Sequence, residues 1–119
     1  MIVLCALADI PDGEARGFNP MGESQQTIVV ARKGACVYAY ENMCPHQPTR
    51  LGFKRDRFMN KTGGQLMCAA HGALFSVETG ECTIGPCIGE RLVPLPIQLD
   101  EEGQVYLMSE PQEADAWAS

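Results

Sequence analysis

The chain has 119 residues, 45% of them apolar, with six Cys, two His and a formal net charge of −6 at pH 7. That is the size of a single domain with one core, and the acidic balance argues against general nucleic-acid binding. No apolar run reaches the roughly 18 residues a membrane span needs, so no membrane association is expected.

The chain begins with a strand-like run, Ile2 to Ala8, which Pro11-Asp12-Gly13 ends with turn chemistry. The first ten residues lack a basic n-region and a cleavage site, so they read as a strand and not as a signal peptide. This predicts a cytoplasmic protein, where cysteines stay reduced and serve as ligands more often than as disulfides. The polar stretch Glu14 to Gln25, with Gly17, Pro20 and Gly22, reads as a loop. Thr27 to Ala31 and Cys36 to Tyr40 are rich in β-branched and aromatic residues, with Lys33-Gly34 between them, a hairpin signal.

That hairpin runs straight into Cys44-Pro45-His46. A second clip, Cys68-Ala69-Ala70-His71, follows after residues 47–67, and the two clips hold both histidines of the chain. Each offers one thiolate and one imidazole, a set suited to iron–sulfur clusters or zinc and not to calcium or magnesium. Zinc sites usually pair like ligands, as Cys-x2-4-Cys with His-x3-5-His. Here each clip is mixed, which makes sense when the thiolate goes to one metal ion and the imidazole to its neighbour. Two Cys with two His is the ligand set in which imidazoles replace half the thiolates of a two-iron cluster. A structural zinc site is the alternative.

Beyond the second clip, Leu74 to Val77 is a strand candidate and Glu78-Thr79-Gly80 a turn. Val93, Leu95, Ile97 and Leu99 alternate and share one face. Pro94 and Pro96 remove ladder donors from the other, predicting an edge or irregular strand. Asp100 to Gly103 turns the chain, and Val105 and Leu107 finish the core. The acidic, Ala-rich tail 110–119 is expected to be flexible or a short surface helix. No helical periodicity or repeat occurs, and the fold class is all-β.

These motifs resemble those of the stand-alone Rieske [2Fe-2S] ferredoxins. Cys44-Pro45-His46, with Leu51 five residues on, is similar to the family's first cluster loop. Cys68-Ala69-Ala70-His71-Gly72-Ala73-Leu74-Phe75 is similar to the second, and Gly80-Glu81-Cys82-Thr83-Ile84-Gly85-Pro86-Cys87 to the Gly-Pro loop that covers the cluster. Asp9 to Gly13 and Arg91 to Leu95 fit the flanking strands. The resemblance implies one Rieske domain over residues 1–119. It would be an antiparallel β-sandwich base carrying an inserted cluster-binding subdomain at about 43–88.

It also implies one [2Fe-2S] cluster, with Cys44 and Cys68 as thiolates on the inner iron and His46 and His71 as imidazoles on the outer one. The implied function is one-electron transfer between redox partner proteins, a reductase and a terminal acceptor. A small subunit of a dioxygenase or nitrite-reductase system is the alternative. No catalytic residue is expected, because a Rieske oxygenase needs a further mononuclear iron and this chain has no other histidine.

High-potential members carry an extra Cys in each cluster loop and hydroxyl donors near the cluster sulfurs. Here Gln47 to Leu51 and Ala69-Ala70 hold no Cys, and Ala73 and Phe75 follow His71-Gly72. Fewer donors stabilise the reduced state less, which predicts a potential at the low end of the family range, about −150 mV.

Arg50, Lys54, Arg55, Arg57 and Lys61 place five of the nine basic residues in the insert. They read either as a solvated loop or as a docking patch for an acidic redox partner. Cys5 and Cys36 sit in apolar strand patterns and read as small buried hydrophobes. Cys82 and Cys87 flank Gly85-Pro86, and spacing leaves both a disulfide and two thiols open.

Overall fold

The computed structural model describes residues 2–19, 27–43, 45, 58–59, 64–68, 72–85 and 88–108. Its organising strand is the apolar run Ile28-Val29-Val30-Ala31, all four residues fully buried. A strand buried on both faces reads as a continuous apolar run without alternation. Ile28 and Val30 join a core with Cys5, Ile10, Ala39, Leu95, Val105 and Leu107. Val29 and Ala31 join a second core with Tyr40, Phe58, Leu66, Cys68, Phe75 and Leu92. The single core expected from chain length is therefore two, one on each side of this strand.

Strands β1 (Ile2–Ala6), β2 (Ala15–Phe18), β3 (Ile28–Lys33), β4 (Cys36–Glu41), β5 (Gln65–Cys68), β6 (Ala73–Ser76), β7 (Cys82–Ile84), β8 (Pro94–Leu95), β9 (Ile97–Leu99) and β10 (Gln104–Leu107) form three antiparallel sheets. The first has the order β1-β10-β9, the middle one β2-β3-β4-β8, and the third β5-β6-β7. The first and middle sheets make the sandwich base. The third is inserted in sequence between β4 and β8, which are neighbours in the middle sheet. The all-β class and the inserted sheet both agree with the expectation.

Several elements differ from the sequence reading. β1 stops at Ala6, where Asp9 Oδ2 accepts the Ala6 N–H at 2.9 Å and a 3-10 turn, Leu7–Asp9, follows. The loop expected over 14–25 contains β2, whose glycine and arginine are tolerated because it pairs on one side only, with β3. The β3–β4 hairpin turns at Gly34-Ala35, with Gly34 at φ +64 and Lys33 opposite Cys36. Cys36 is exposed, not buried: it lies at the hairpin tip, while β8 covers β4 only at Ala39 and Tyr40.

The alternating run after Arg91 is two strands. Pro96, without an N–H, sits between β8 on the middle sheet and β9 on the first, and its carbonyl accepts the Met108 N–H at 2.9 Å. Leu95 is buried in the base core, with Ile97 and Leu99 packed against it. Val93 is 41% exposed and does not share that face. Residues 110–119 lie outside the described residues. Among the described residues, no helix is long and apolar enough to cross a membrane.

Candidate metal centre

The first clip leaves the end of β4, whose root is fastened on both sides. The Asn42 N–H donates to the Thr27 carbonyl at 2.9 Å, and the Glu41 N–H to the Val93 carbonyl at 2.9 Å. Asn42 is 4% exposed, a buried amide side chain at this root. Burial pushes the Glu41 carboxyl above its usual pKa. Cys44 and His46 themselves lie outside the described residues, and Pro45 between them is half-buried.

The second clip starts at Cys68, the last residue of β5, which pairs with Ala73 at the start of β6. Cys68 is fully buried in the core shared with the middle sheet. The Gly72 N–H returns to the Cys68 carbonyl at 2.8 Å, with Gly72 at φ +69, a left-handed value a glycine adopts without strain. Cys68 is thereby fixed at the mouth of the loop that carries His71, a residue outside the described ones.

The third loop begins where β7 ends, with Ile84 opposite Leu74. Gly85 has φ +112, and a Cβ there would come within 2.8 Å of the Ala73 Cα. Its backbone therefore lies against the exit of the second clip. Cys82 is buried and its Sγ donates to the Ile84 carbonyl at 3.3 Å. Cys87 lies outside the described residues, so the geometry between the two cysteines is not described.

The insert before β5 is more than a charged loop. Phe58 is 2% exposed and belongs to the second core, its carbonyl accepts the Met67 N–H at 2.7 Å, and Met59 bridges to Leu66. A lone aromatic between Arg57 and Met59 gives little sequence signal, and the expectation of a loop missed it. Arg50, Lys54, Arg55, Arg57 and Lys61 all lie outside the described residues.

The other described cysteines do not suit a site. Burial, with the Asp9 charge adding to it, pushes the Cys5 thiol up to about 11, so it stays protonated and unreactive. Cys36 is exposed at the hairpin tip, at the opposite end of β4 from the first clip. Cys68 differs: it is fully buried, and a thiolate there would be favoured by the charge of a metal ion. A second sign that the site accommodates a further group is the Thr27 hydroxyl. It is buried, has no hydrogen-bond partner among the described residues, and lies beside the root of the first clip. Of the four expected ligands Cys68 alone lies among the described residues, and its buried thiol suits a group that a thiolate holds.

Comparisons with known proteins agree. The family model of the Rieske [2Fe-2S] domain matches residues 1–107. The ferredoxin component of an alkene monooxygenase system from Xanthobacter autotrophicus strain Py2 is 33% identical over 110 residues, covering 91% of this chain and 80% of that protein. A chain in the solved complex of reduced oxygenase and oxidized ferredoxin of carbazole 1,9a-dioxygenase is 29% identical, with a TM-score of 0.67 over 89% of this chain and 90% of that one. The ferredoxin of carbazole 1,9a-dioxygenase from Nocardioides aromaticivorans IC177 superposes with a TM-score of 0.69 at 22% identity, over 92% of this chain and 97% of that one, a likeness of fold.

Proposed function

The chain belongs to the Rieske [2Fe-2S] domain family, and from that membership we propose that it carries electrons, one at a time, from a reductase to the terminal oxygenase of a multicomponent oxygenase system. It is an electron-transfer protein of the ferredoxin kind with one [2Fe-2S] cluster, and not itself a catalyst. The reading of the partner is carried by one observation: the relative at 33% identity is a ferredoxin component of an oxygenase system. The solved complex of oxygenase with ferredoxin supports the same pairing. A nitrite-reductase partner has no comparable support, and the family match favours iron and sulfide over structural zinc.

Four residues would hold the cluster: Cys44 and Cys68 as thiolates on one iron, His46 and His71 as imidazoles on the other. The cluster supplies a one-electron couple. The protein's part is to fix the clips on stiff strands and to set the polarity around them. Cys68 does so from the buried end of β5, and Cys44 from just past the β4 root held by Asn42 and Glu41. Neutral imidazoles in place of two thiolates make the cluster less negative and raise its potential above that of an all-Cys cluster. We assign residues 43–88 as the cluster-binding subdomain of a single domain spanning 1–119, and place the protein in the cytoplasm.

The test is an EPR spectrum of the dithionite-reduced protein, with iron and acid-labile sulfide counted on the same sample. Two irons, two sulfides and a Rieske-type signal are expected. One zinc per chain with a silent spectrum would remove the electron-transfer reading. Reduction by an oxygenase-system reductase, followed by oxidation on adding its oxygenase, then tests the partners.

A further inference from the structure

The third sheet turns one face inward, where Leu66, Cys68, Ala73, Phe75 and Cys82 are buried. Side chains alternate along a strand, so the other face carries Gln65 and Met67 of β5 with Leu74 and Ser76 of β6, none of them buried. Strict alternation in β7 would send Ile84 inward with Cys82. It does not, because Leu74 lies opposite Ile84 and Phe75 opposite Cys82, which leaves Thr83 as the extra residue of a bulge. The bulge turns Ile84 outward, 56% exposed. Bulges re-aim side chains and are common beside functional sites. This one gives up ladder regularity and puts an isoleucine in water.

Met67, Leu74 and Ile84 thus lie opposite one another and form an apolar row across the open face. The row is the rung next to the Cys68–Ala73 pair, from which the second clip leaves. Its neighbours on the side away from the clip are polar and uncharged: Gln65 lies opposite Ser76 and donates to the Thr83 hydroxyl at 2.9 Å. Both edges of the sheet are occupied, by Phe58 and Met59 along β5 and by Glu90 and Arg91 along β7. A partner arriving here therefore meets side chains of the face and does not add a strand. An apolar centre with an uncharged polar border is the make-up of a contact surface.

We propose that the Met67–Leu74–Ile84 row is the contact through which the terminal oxygenase docks, with an uncharged apolar patch of the oxygenase seated on it. The proposal rests on the reading of the chain as the electron carrier of an oxygenase system. Transfer requires the acceptor to come close to the clips, and this row lies one rung from the second. A second copy of the chain suits it less well, because two copies at net charge −6 repel each other. The row contributes affinity and leaves the driving force of transfer alone, since it carries no charge.

The experiment follows electron transfer from the reduced, cluster-loaded protein to the oxygenase by stopped flow, over a range of oxygenase concentrations. It compares wild type, Ile84→Glu, Ile84→Gln and Val3→Glu. Val3 is 54% exposed on β1 of the first sheet and controls for a charge placed on an exposed apolar site elsewhere. Both Ile84 variants should need about tenfold more oxygenase for half the maximal rate, the scale of one lost aliphatic contact. Val3→Glu should keep the wild-type value. Reduction of ferricyanide, which needs no docking surface, should run at one rate in all four, and the reduction potential should not move. Wild-type half-saturation in Ile84→Gln overturns the proposal, as does an equal rise in Val3→Glu or a matching slowing with ferricyanide. If Ile84→Glu does not load its cluster, Ile84→Gln decides alone. Sedimentation of the wild type as a dimer that Ile84→Glu dissociates, at unchanged transfer, would overturn it in favour of a second copy. A wild type that loads its cluster and passes no electron to the oxygenase would instead refute the carrier reading on which the proposal stands.

Discussion

The phenol of Tyr40 donates a 2.7 Å hydrogen bond to the carbonyl of Val77, tying β4 of the middle sheet to the turn after β6 in the third. The same ring occupies the space a side chain on Gly80 would need, since a Cβ there would lie 2.7 Å from Tyr40 Cε1. This contact joins the base to the inserted sheet through a fully paired buried polar group. Tyr40→Phe leaves the Val77 carbonyl unpaired and should destabilise the protein by about 1–3 kcal/mol, read from urea unfolding.

The same contact has a pH consequence. Burial, with the neighbouring Tyr38 adding to it, pushes the Tyr40 phenol up to about 12. A phenol whose folded pKa exceeds its unfolded value stabilises the fold fully below about 10. That contribution is lost as pH rises through the folded value, so stability should fall between pH 10 and about 12. The fall should be smaller in Tyr40→Phe, measured by thermal unfolding across that range.

Gly85 tests the covering loop. With φ +112 and the Ala73 backbone 2.8 Å from any Cβ, Gly85→Ala has to bend the loop away from the second clip. Strained backbone of this kind costs about 1–3 kcal/mol. Faster loss of visible cluster absorbance in air is expected, together with a lower melting temperature.

Replacing any one of Cys44, His46, Cys68 or His71 by alanine should prevent assembly of a normal cluster, because each clip supplies half of the ligands. Iron and acid-labile sulfide, counted in each purified variant, give the answer. A full complement in Cys68→Ala would contradict its role.

The potential itself is a prediction. With Ala73 and Phe75 following the second clip, hydroxyl donors are few, and the value should lie near the low end of the range, about −150 mV. Protein-film voltammetry giving a value well above zero would defeat that expectation.

The basic insert residues bear on docking. If Lys54, Arg55 and Arg57 steer an acidic partner, reversing their charge should slow electron transfer to it and flatten the salt dependence of the rate. Stopped-flow rates at several ionic strengths, unchanged by the reversal, would assign the insert to solvation alone.

Much of this was legible in the chain, for physical reasons that can be traced to residues. The mixed Cys/His clips announce their chemistry because few ligand sets combine thiolate and imidazole in that order. The β3–β4 hairpin was visible in its β-branched runs. β2 was not, because Gly17 and Arg16 look like a loop until β3 is known to supply the missing pairing. Cys36 looked buried because its apolar neighbours hide the fact that the hairpin projects past its covering strand. Val93 fits the alternation of its neighbours, yet Pro96 divides that run between two sheets. Phe58 entered a core from inside a basic stretch, where local pattern carries no trace of a long-range contact.

The doubly buried β3 also limits how this protein can be rebuilt. Val29 and Ala31 wall the side that holds Cys68, while Ile28 and Val30 wall the other. Cutting the electron-carrying half away as a module would strip one side of that wall and leave Val29 and Ala31 facing water. Transplanting the cofactor into another scaffold therefore requires the loops alone, grafted onto a matching wall, or the whole unit, fused intact.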